Sequence, residues 1–276
     1  MAALDRLGWA AGVAFESYGL RLGVRVDQPH ALERIEGILP PGWRRRRSPV
    51  VDHLYSFVAG AGAGPHVRKF SLAYAGSTRI ARTLDREEAL DALASSLRLY
   101  VAEAARGRVF VHAGVVGWRG TAIVVPGRSG SGKSRLVAAL VRAGAAYYSD
   151  EYAVFDRFGR VHPYPAPLSW RDEGKTSSIP VDALGEPPGP PLPVGLLACS
   201  RYDPEARWRP RALTRGRGML VLLANTIPAR RKPQAVMAAL RRAVSRARVW
   251  EGRRGEAEET AESLLHGAAP QSEVVA

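Results

Sequence analysis

The chain has 276 residues, 46% hydrophobic and 24% charged, which suffices for one large domain or two small ones. A single cysteine, Cys199, excludes a disulfide framework and a cysteine-rich zinc site and suits a reducing compartment. No run approaches the roughly 18 apolar residues of a membrane span, so no membrane is expected among the partners.

The formal net charge is +14, and four of the 40 basic residues are lysines. The arginines are dispersed apart from Arg44–Arg47 and Arg230–Lys232. No zinc-finger, RNP-type or recognition-helix pattern accompanies them, so a solvated basic surface is expected rather than a nucleic-acid interface. A short apolar patch from Leu7 to Phe15 is flanked by Asp5 and Glu16, and no small-residue cleavage site follows. No signal peptide is expected, and the expected location is cytoplasmic.

Residues 1–106 read as an N-terminal α/β domain. Phe15 to Val26 alternates as a strand would, and a short helix over Ala31–Leu39 is stopped by Pro40-Pro41-Gly42. Val50–Val58 and Val67–Tyr74 read as strands joined by the glycine-rich connector Ala59–Pro65. From Asp85 to Ala105 the apolar residues Leu90, Leu93, Leu97 and Val101 recur at helical spacing, with Asp85 as the N-cap. Nothing in this region carries recognisable chemistry; it can position a substrate, make an oligomer contact or complete a core.

Residues 107–266 read as a second domain, with a disordered tail over 267–276. Arg108–Val116 is a strand, turned back by Gly117-Trp-Arg-Gly120 into the buried strand Thr121–Val125, which Pro126 ends. Gly127-Arg128-Ser129-Gly130-Ser131-Gly132-Lys133-Ser134 then fits the phosphate-cradling pattern G-x-x-x-x-G-K-[ST]. Leu136, Val137, Leu140 and Val141 make Ser134–Arg142 one face of a helix, so strand, glycine loop and helix follow in the required order. The glycines permit positive φ and let backbone N–H groups approach an anion, which the helix N-terminus also favours. Lys133 is placed to bridge the terminal phosphates and Ser134 to take one position on Mg²⁺. Arg128, Ser129, Ser131 and Arg135 complete the expected contacts to a nucleotide such as ATP.

Gly144 stops the helix, and Ala145–Ala153 reads as a strand that holds Asp150 and Glu151 in mid-run. A charged pair inside a strand costs burial energy unless it has a partner. One carboxylate can coordinate Mg²⁺ while the other accepts a proton from an attacking hydroxyl; the alternative is a solvent-facing acidic tip. His112, one strand from the loop, is either a core residue or part of the site. Arg171 or Lys175 can steady a transferred phosphoryl group. No long hydrophobic run precedes a downstream aspartate as in transporter ATPases, and no N-K-x-D element of a GTPase is present. Glu186–Pro193 is a proline-rich connector. Val194–Ala198 and Met219–Leu223 read as strands, Pro233–Arg246 as a helix, Arg248–Glu251 as a last strand and Glu256–Leu265 as a closing helix.

The run His112-Ala-Gly-Val-Val, the loop 127–134, Ser149-Asp150-Glu151 and Asp156-x-x-Gly159-x-Val161-x-Pro163-Tyr164-Pro165 together resemble the catalytic domain of the HPr serine kinase/phosphorylase family. The likeness is closest to the HPr-kinase-related proteins of bacteria and covers roughly residues 105–172. It implies a P-loop kinase domain of the type shared with phosphoenolpyruvate carboxykinase. It implies Asp150 as the base that activates a serine hydroxyl, Glu151 near the metal, and His112 beside the catalytic acid. The expected function is therefore ATP- and Mg²⁺-dependent phosphorylation of a serine hydroxyl on a protein or peptide, in a chain able to form a homo-oligomer. The family's downstream E-[VI]-R-G-x-G segment has only Arg215-Gly-Arg-Gly218 as a counterpart, so neither HPr as acceptor nor the phosphorylase reaction is carried over. A kinase of a small metabolite hydroxyl, such as free serine, and a non-catalytic nucleotide-binding scaffold are the alternatives.

Overall fold

The computed structural model describes residues 4–60, 69–127, 130–172, 175–185 and 187–268. It is mixed α/β throughout and divides into two compact units, Met1–Arg106 and Gly107–Ala276.

In the first unit, β1 (Ala11–Ser17) and β2 (Leu20–Val26) form an antiparallel hairpin. The expected single strand Phe15–Val26 is therefore two. Tyr18 and Gly19 both take positive φ, 48° and 76°, the primed turn whose twist matches that of the flanking strands. Then follow α1 (Ala31–Gly37), β3 (Arg44–Arg45), β4 (His53–Ala59), β5 (Ser71–Ala75), β6 (Thr78–Thr83) and α2 (Arg86–Ala104). The sheet has the order β3-β1-β2-β4-β5-β6. Asp85 caps α2 by accepting from the N–H groups of Glu87 (2.8 Å) and Glu88 (3.4 Å). Leu90, Leu93, Leu97 and Val101 are buried, on a helix that packs along β5 and β6. Most of the expected glycine-rich connector falls in 61–68, outside the described residues.

The second unit is built on β7 (Val109–Trp118), which turns back through Arg119 and Gly120, both at positive φ, into β8 (Thr121–Pro126). After β8 come α3 (Lys133–Arg142), β9 (Ala146–Ser149), β10 (Tyr152–Phe155), β11 (Val161–His162) and the hairpin β12 (Leu168–Asp172) with β13 (Lys175–Ile179). The chain ends with β14 (Val194–Tyr202), β15 (Arg211–Ala212), α4 (Arg215–Ala224), α5 (Pro233–Val244), β16 (Arg248–Arg254) and α6 (Ala257–Ala268). The main sheet runs β11-β10-β7-β8-β14-β16-β15, with β9 also paired to β7.

In the second unit three further findings correct the sequence reading. The strand expected over Ala145–Ala153 is broken into β9 and β10, because the Ser149 hydroxyl accepts the N–H groups of Glu151 (3.2 Å) and Tyr152 (3.0 Å). That local bond replaces ladder pairing and turns Asp150 and Glu151 out of the strand. Met219–Leu223 is helical, inside α4, whose N-cap Thr214 accepts from the Arg217 N–H. Leu222 is buried while Leu220 is exposed, the pattern of a helix face rather than a buried strand. Finally, α6 continues through Gly267 to Ala268, so the chain is ordered past the expected boundary of the tail; residues 269–276 lie outside the described residues.

The main sheet is covered on both faces, so β8 is apolar on both sides. Ala122 and Val124 pack with Leu222, Val236 and Leu240 of α4 and α5. Ile123 and Val125 pack with Leu136, Leu140 and Leu264 of α3 and α6. The close fit of α3 depends on Gly114 of β7, where a Cβ would stand 2.5 Å from Val137 Cγ2. Gly114→Ala is expected to cost about 1–3 kcal/mol by overpacking. In the Gly114→Ala/Val137→Ala double variant the urea-derived loss should be smaller than the sum of the single losses. Strict additivity would show that this contact does not seat α3.

Candidate functional site

β8, β14 and β16 are mutually parallel, and β9 runs the same way because it and β8 are both antiparallel to β7. Their carboxyl ends, at Pro126, Ser149, Tyr202 and Arg254, therefore share one edge of the sheet. The conspicuous polar residues gather there, where ligands of open α/β sheets bind.

The glycine loop leaves β8 with the Gly127 N–H donating to the His112 carbonyl (3.1 Å). Gly130 and Gly132 lie in the left-handed region at φ 81° and 79°. Gly132 is the N-cap of α3 and supplies no side chain to cap the helix, so the N–H groups of its first turn face the loop concavity. The Gly132 carbonyl accepts from Arg254 Nη2 at 2.8 Å. A Cβ on Gly132 would lie 2.5 Å from that same nitrogen, so both the φ angle and the close approach require glycine. Arg128 and Ser129 fall outside the described residues.

Lys133 is buried on the first turn of α3. Burial pushes its ammonium below the usual lysine value, while the charges of Asp150 and Glu151 oppose that shift. Ser134 Oγ donates to Asp150 Oδ2 at 2.9 Å. The Tyr147 hydroxyl stands 3.1 Å from Asp150 Oδ1 and 2.7 Å from the Ala166 carbonyl, and its single proton serves one of them at a time. Burial raises the Asp150 carboxyl above its ordinary value, and hydrogen bonds from Ser134, Tyr147 and the Ser169 backbone pull it back only in part. Burial and the nearby Asp150 charge raise the Tyr147 phenol, which keeps it a neutral donor.

Glu151 sits on the bend between β9 and β10, half-buried, with its carbonyl accepting from the Ala113 N–H. His112 faces Tyr152 across the β7–β10 ladder, the rings 5.1 Å apart. Tyr152 in turn packs edge-on against Phe110 and Tyr164. The structure thus makes the backbone of His112 an anchor for the loop and sets its ring at the end of an aromatic cluster. Arg135 is exposed on α3, and its charge acts on Arg254. Arg171 lies on β12 opposite Thr176, with its side chain, like that of Lys175, outside the described residues. Asp156 serves a turn: its carboxylate accepts from the N–H groups of Phe158 and Arg160 and meets His162 Nε2 at 3.0 Å.

Two participants were not evident in the sequence. Arg254 is 2% exposed, lies over the Tyr202 ring and donates to the Gly132 and Gly255 carbonyls. No carboxylate among the described residues pairs with it. Tyr147 is the other. Neither residue type stands out along the chain, since both reach the site through pairing of distant segments.

The residues present fit a magnesium-nucleotide. Among the described residues no group of three or more His, Cys, Asp or Glu forms a metal cage, and a phosphate-bound Mg²⁺ requires only a hydroxyl, one or two carboxylates and phosphate oxygens. Among the described residues, buried Ser131 Oγ and Arg254 Nε have no hydrogen-bond partner, a cost that a bound anion could relieve. No protein-family model matches the chain, and no curated protein matches it.

Because the folded protein holds the Asp150 proton more tightly than the unfolded chain, this group's contribution to stability is fully present below about 3.8 and is lost as pH rises through the raised value. In the absence of nucleotide, Asp150→Asn should therefore be more stable than the parent at pH 7, an advantage that shrinks towards pH 4. Urea midpoints measured at several pH values check this; a constant difference would remove Asp150 as the titrating group.

Proposed function

We propose that the chain is an ATP- and Mg²⁺-dependent kinase that phosphorylates a hydroxyl, that of a serine, on a protein or peptide. The proposal includes a phosphate-loop fold of the HPr kinase and phosphoenolpyruvate carboxykinase type for the second unit. The observation that carries it is the meeting of Ser134 and Asp150 at 2.9 Å beside buried Lys133, at the uncapped start of α3. Each member of that group has a role in phosphoryl transfer, and the group comes from the segments that carry the resemblance.

In this reading the loop amides and Lys133 bind the phosphates of ATP. Ser134 and Glu151 would hold Mg²⁺, which would neutralise charge on the phosphates. Asp150, raised by burial, is tuned towards neutral pH and accepts the proton of the acceptor hydroxyl. The hydroxyl oxygen bonds to the γ-phosphorus, the bond to the β–γ bridging oxygen breaks, and ADP leaves. Tyr147, on Oδ1, and the Ser169 N–H orient the carboxylate. Arg254 fixes the Gly132 carbonyl and so keeps the neighbouring amides turned towards the phosphates. The Arg215–Gly218 segment lies in the first half of α4, with Gly218 against Val249, a packing role that leaves phosphorolysis outside the proposal.

Lys133→Ala should abolish ATP binding measured by calorimetry. Asp150→Asn should bind ATP near the parent affinity yet transfer label from γ-labelled ATP about 10²–10⁴-fold more slowly. Transfer by that variant at the parent rate would remove Asp150 as the base. Label recovered only in the low-molecular-weight fraction would replace the peptide acceptor by a metabolite.

A further inference from the structure

At the same edge of the sheet lies a second concavity that the kinase reading does not use. It has a volume of about 540 Å³ and lies between Pro126 of β8, the ends of β14 and β16, Val221 of α4, and the segment that leads into β15. Arg201, Arg209, Arg211 and Arg253 line it, against one carboxylate, Glu251. A smaller cavity of about 240 Å³ adjoins it through Arg201 and Arg253.

The charges are not equivalent. Arg211 is taken up by Glu251, with Nε and Nη2 both on Oε2 at 3.0 and 2.5 Å. Arg253 reaches Asp203 at 3.2 Å. Arg201 and Arg209 are exposed and, among the described residues, have no ion pair or hydrogen bond through their guanidinium groups. The floor is neutral: burial pushes the Cys199 thiol up to about 12, and Pro126 and Val221 are apolar. Two uncommitted guanidinium forks over an uncharged floor form a receptor for a planar-facing dianion rather than for a cation or an apolar group. The concavity is of a size suited to a small ligand or a single modified side chain.

We propose that this cleft is a second anion site, which binds the phosphate group of a ligand other than the nucleotide on the glycine loop, with Arg201 and Arg209 as its primary contacts. Arg253 and Arg211, each already held by a carboxylate, set the walls. The ligand is either free phosphate or a phosphate monoester with a small organic body. The site is independent of the kinase reading, because it requires no transfer chemistry and none of its residues belongs to the Lys133–Asp150 group.

The full chain is titrated calorimetrically with inorganic phosphate and, separately, with glycerol 3-phosphate, at fixed ionic strength. The expected result is saturable binding to the parent and to Lys133→Ala, weakened at least tenfold in Arg201→Ala/Arg209→Ala. Arg241→Ala/Arg246→Ala, which removes the same charge from the exposed face and end of α5, should bind as the parent does. Tighter binding of the ester identifies a ligand with an organic body, and equal binding identifies free phosphate; both support the site. The proposal is overturned if Lys133→Ala abolishes binding while the Arg201/Arg209 variant retains it, for then the anion lies on the loop. Equal losses in the two arginine pairs would reduce the effect to diffuse surface charge, and no saturable binding to the parent would end the proposal. Both substituted pairs are solvent-exposed, and circular dichroism of each variant checks that it remains folded.

Discussion

The arrangement of the second unit depends on a buried guanidinium held against the start of a helix. Burying a cation costs several kcal/mol unless its donors are satisfied and its charge is balanced. Arg254 meets the first condition in part, through the Gly132 and Gly255 carbonyls and the face of Tyr202. The second it meets only in part, since Tyr202 and Glu256 favour its charged form while burial and Arg135 oppose it. The bond to Gly132 nevertheless ties the last strand of the sheet to the first turn of α3, two segments distant in the chain. Gly132 itself lies at φ 79°, the left-handed conformation found in anion-binding backbone concavities.

The ionisable groups across the loop show the complementary effect. Lys133 is pushed towards its neutral form and so is Asp150, although the two oppose each other in sign. Burial dominates both shifts, which means that mutual attraction does not repay their desolvation. A site stabilised only for its own sake would place apolar residues at these positions. An anion near Lys133 and a cation near Asp150 would relieve the two costs separately, and a metal-bound polyphosphate provides both charges in one ligand. Local instability of this kind is concentrated where binding is expected to compensate for it.

What could be read in advance follows the distinction between local and distant contacts. The loop 127–134 and the acids 150 and 151 lie in one continuous stretch, and their spacing alone brings them together once β9 lies beside β7. The N-cap Asp85 and the amphipathic pattern of α2 are local in the same sense. The break between β9 and β10 was hidden because Ser149 in an apolar run gives no sign of where its hydroxyl points. Met219–Leu223 shows another limit, since a five-residue apolar run fits a buried strand or one side of a helix equally well. Only Thr214, several residues earlier, signals the helix. Arg254 and Tyr147 were unreadable for a different reason: their roles arise from β16 and β9 ending beside α3, and nothing along the chain records that adjacency.

The common direction of the strands explains why so much chemistry collects at one edge. β8, β9, β14 and β16 all point the same way, and each ends in polar residues: the glycine loop, Asp150 with Glu151, Arg201 with Tyr202, and Arg253 with Arg254. Antiparallel β7 contributes from its opposite end, placing His112 next to Pro126. Alternation along β14 and β16 then sorts the basic residues between the two sides of the sheet. Tyr202 and Arg254 turn towards α3 and hold the loop, while Arg201 and Arg253 turn towards α4 and line the cleft. A one-residue slip of either strand would exchange the two sets. The same pairing register that buries Leu196 and Ala198 beneath α3 and α6, and Leu197 and Val249 beneath α4 and α5, therefore also fixes which arginine serves the loop and which serves the cleft.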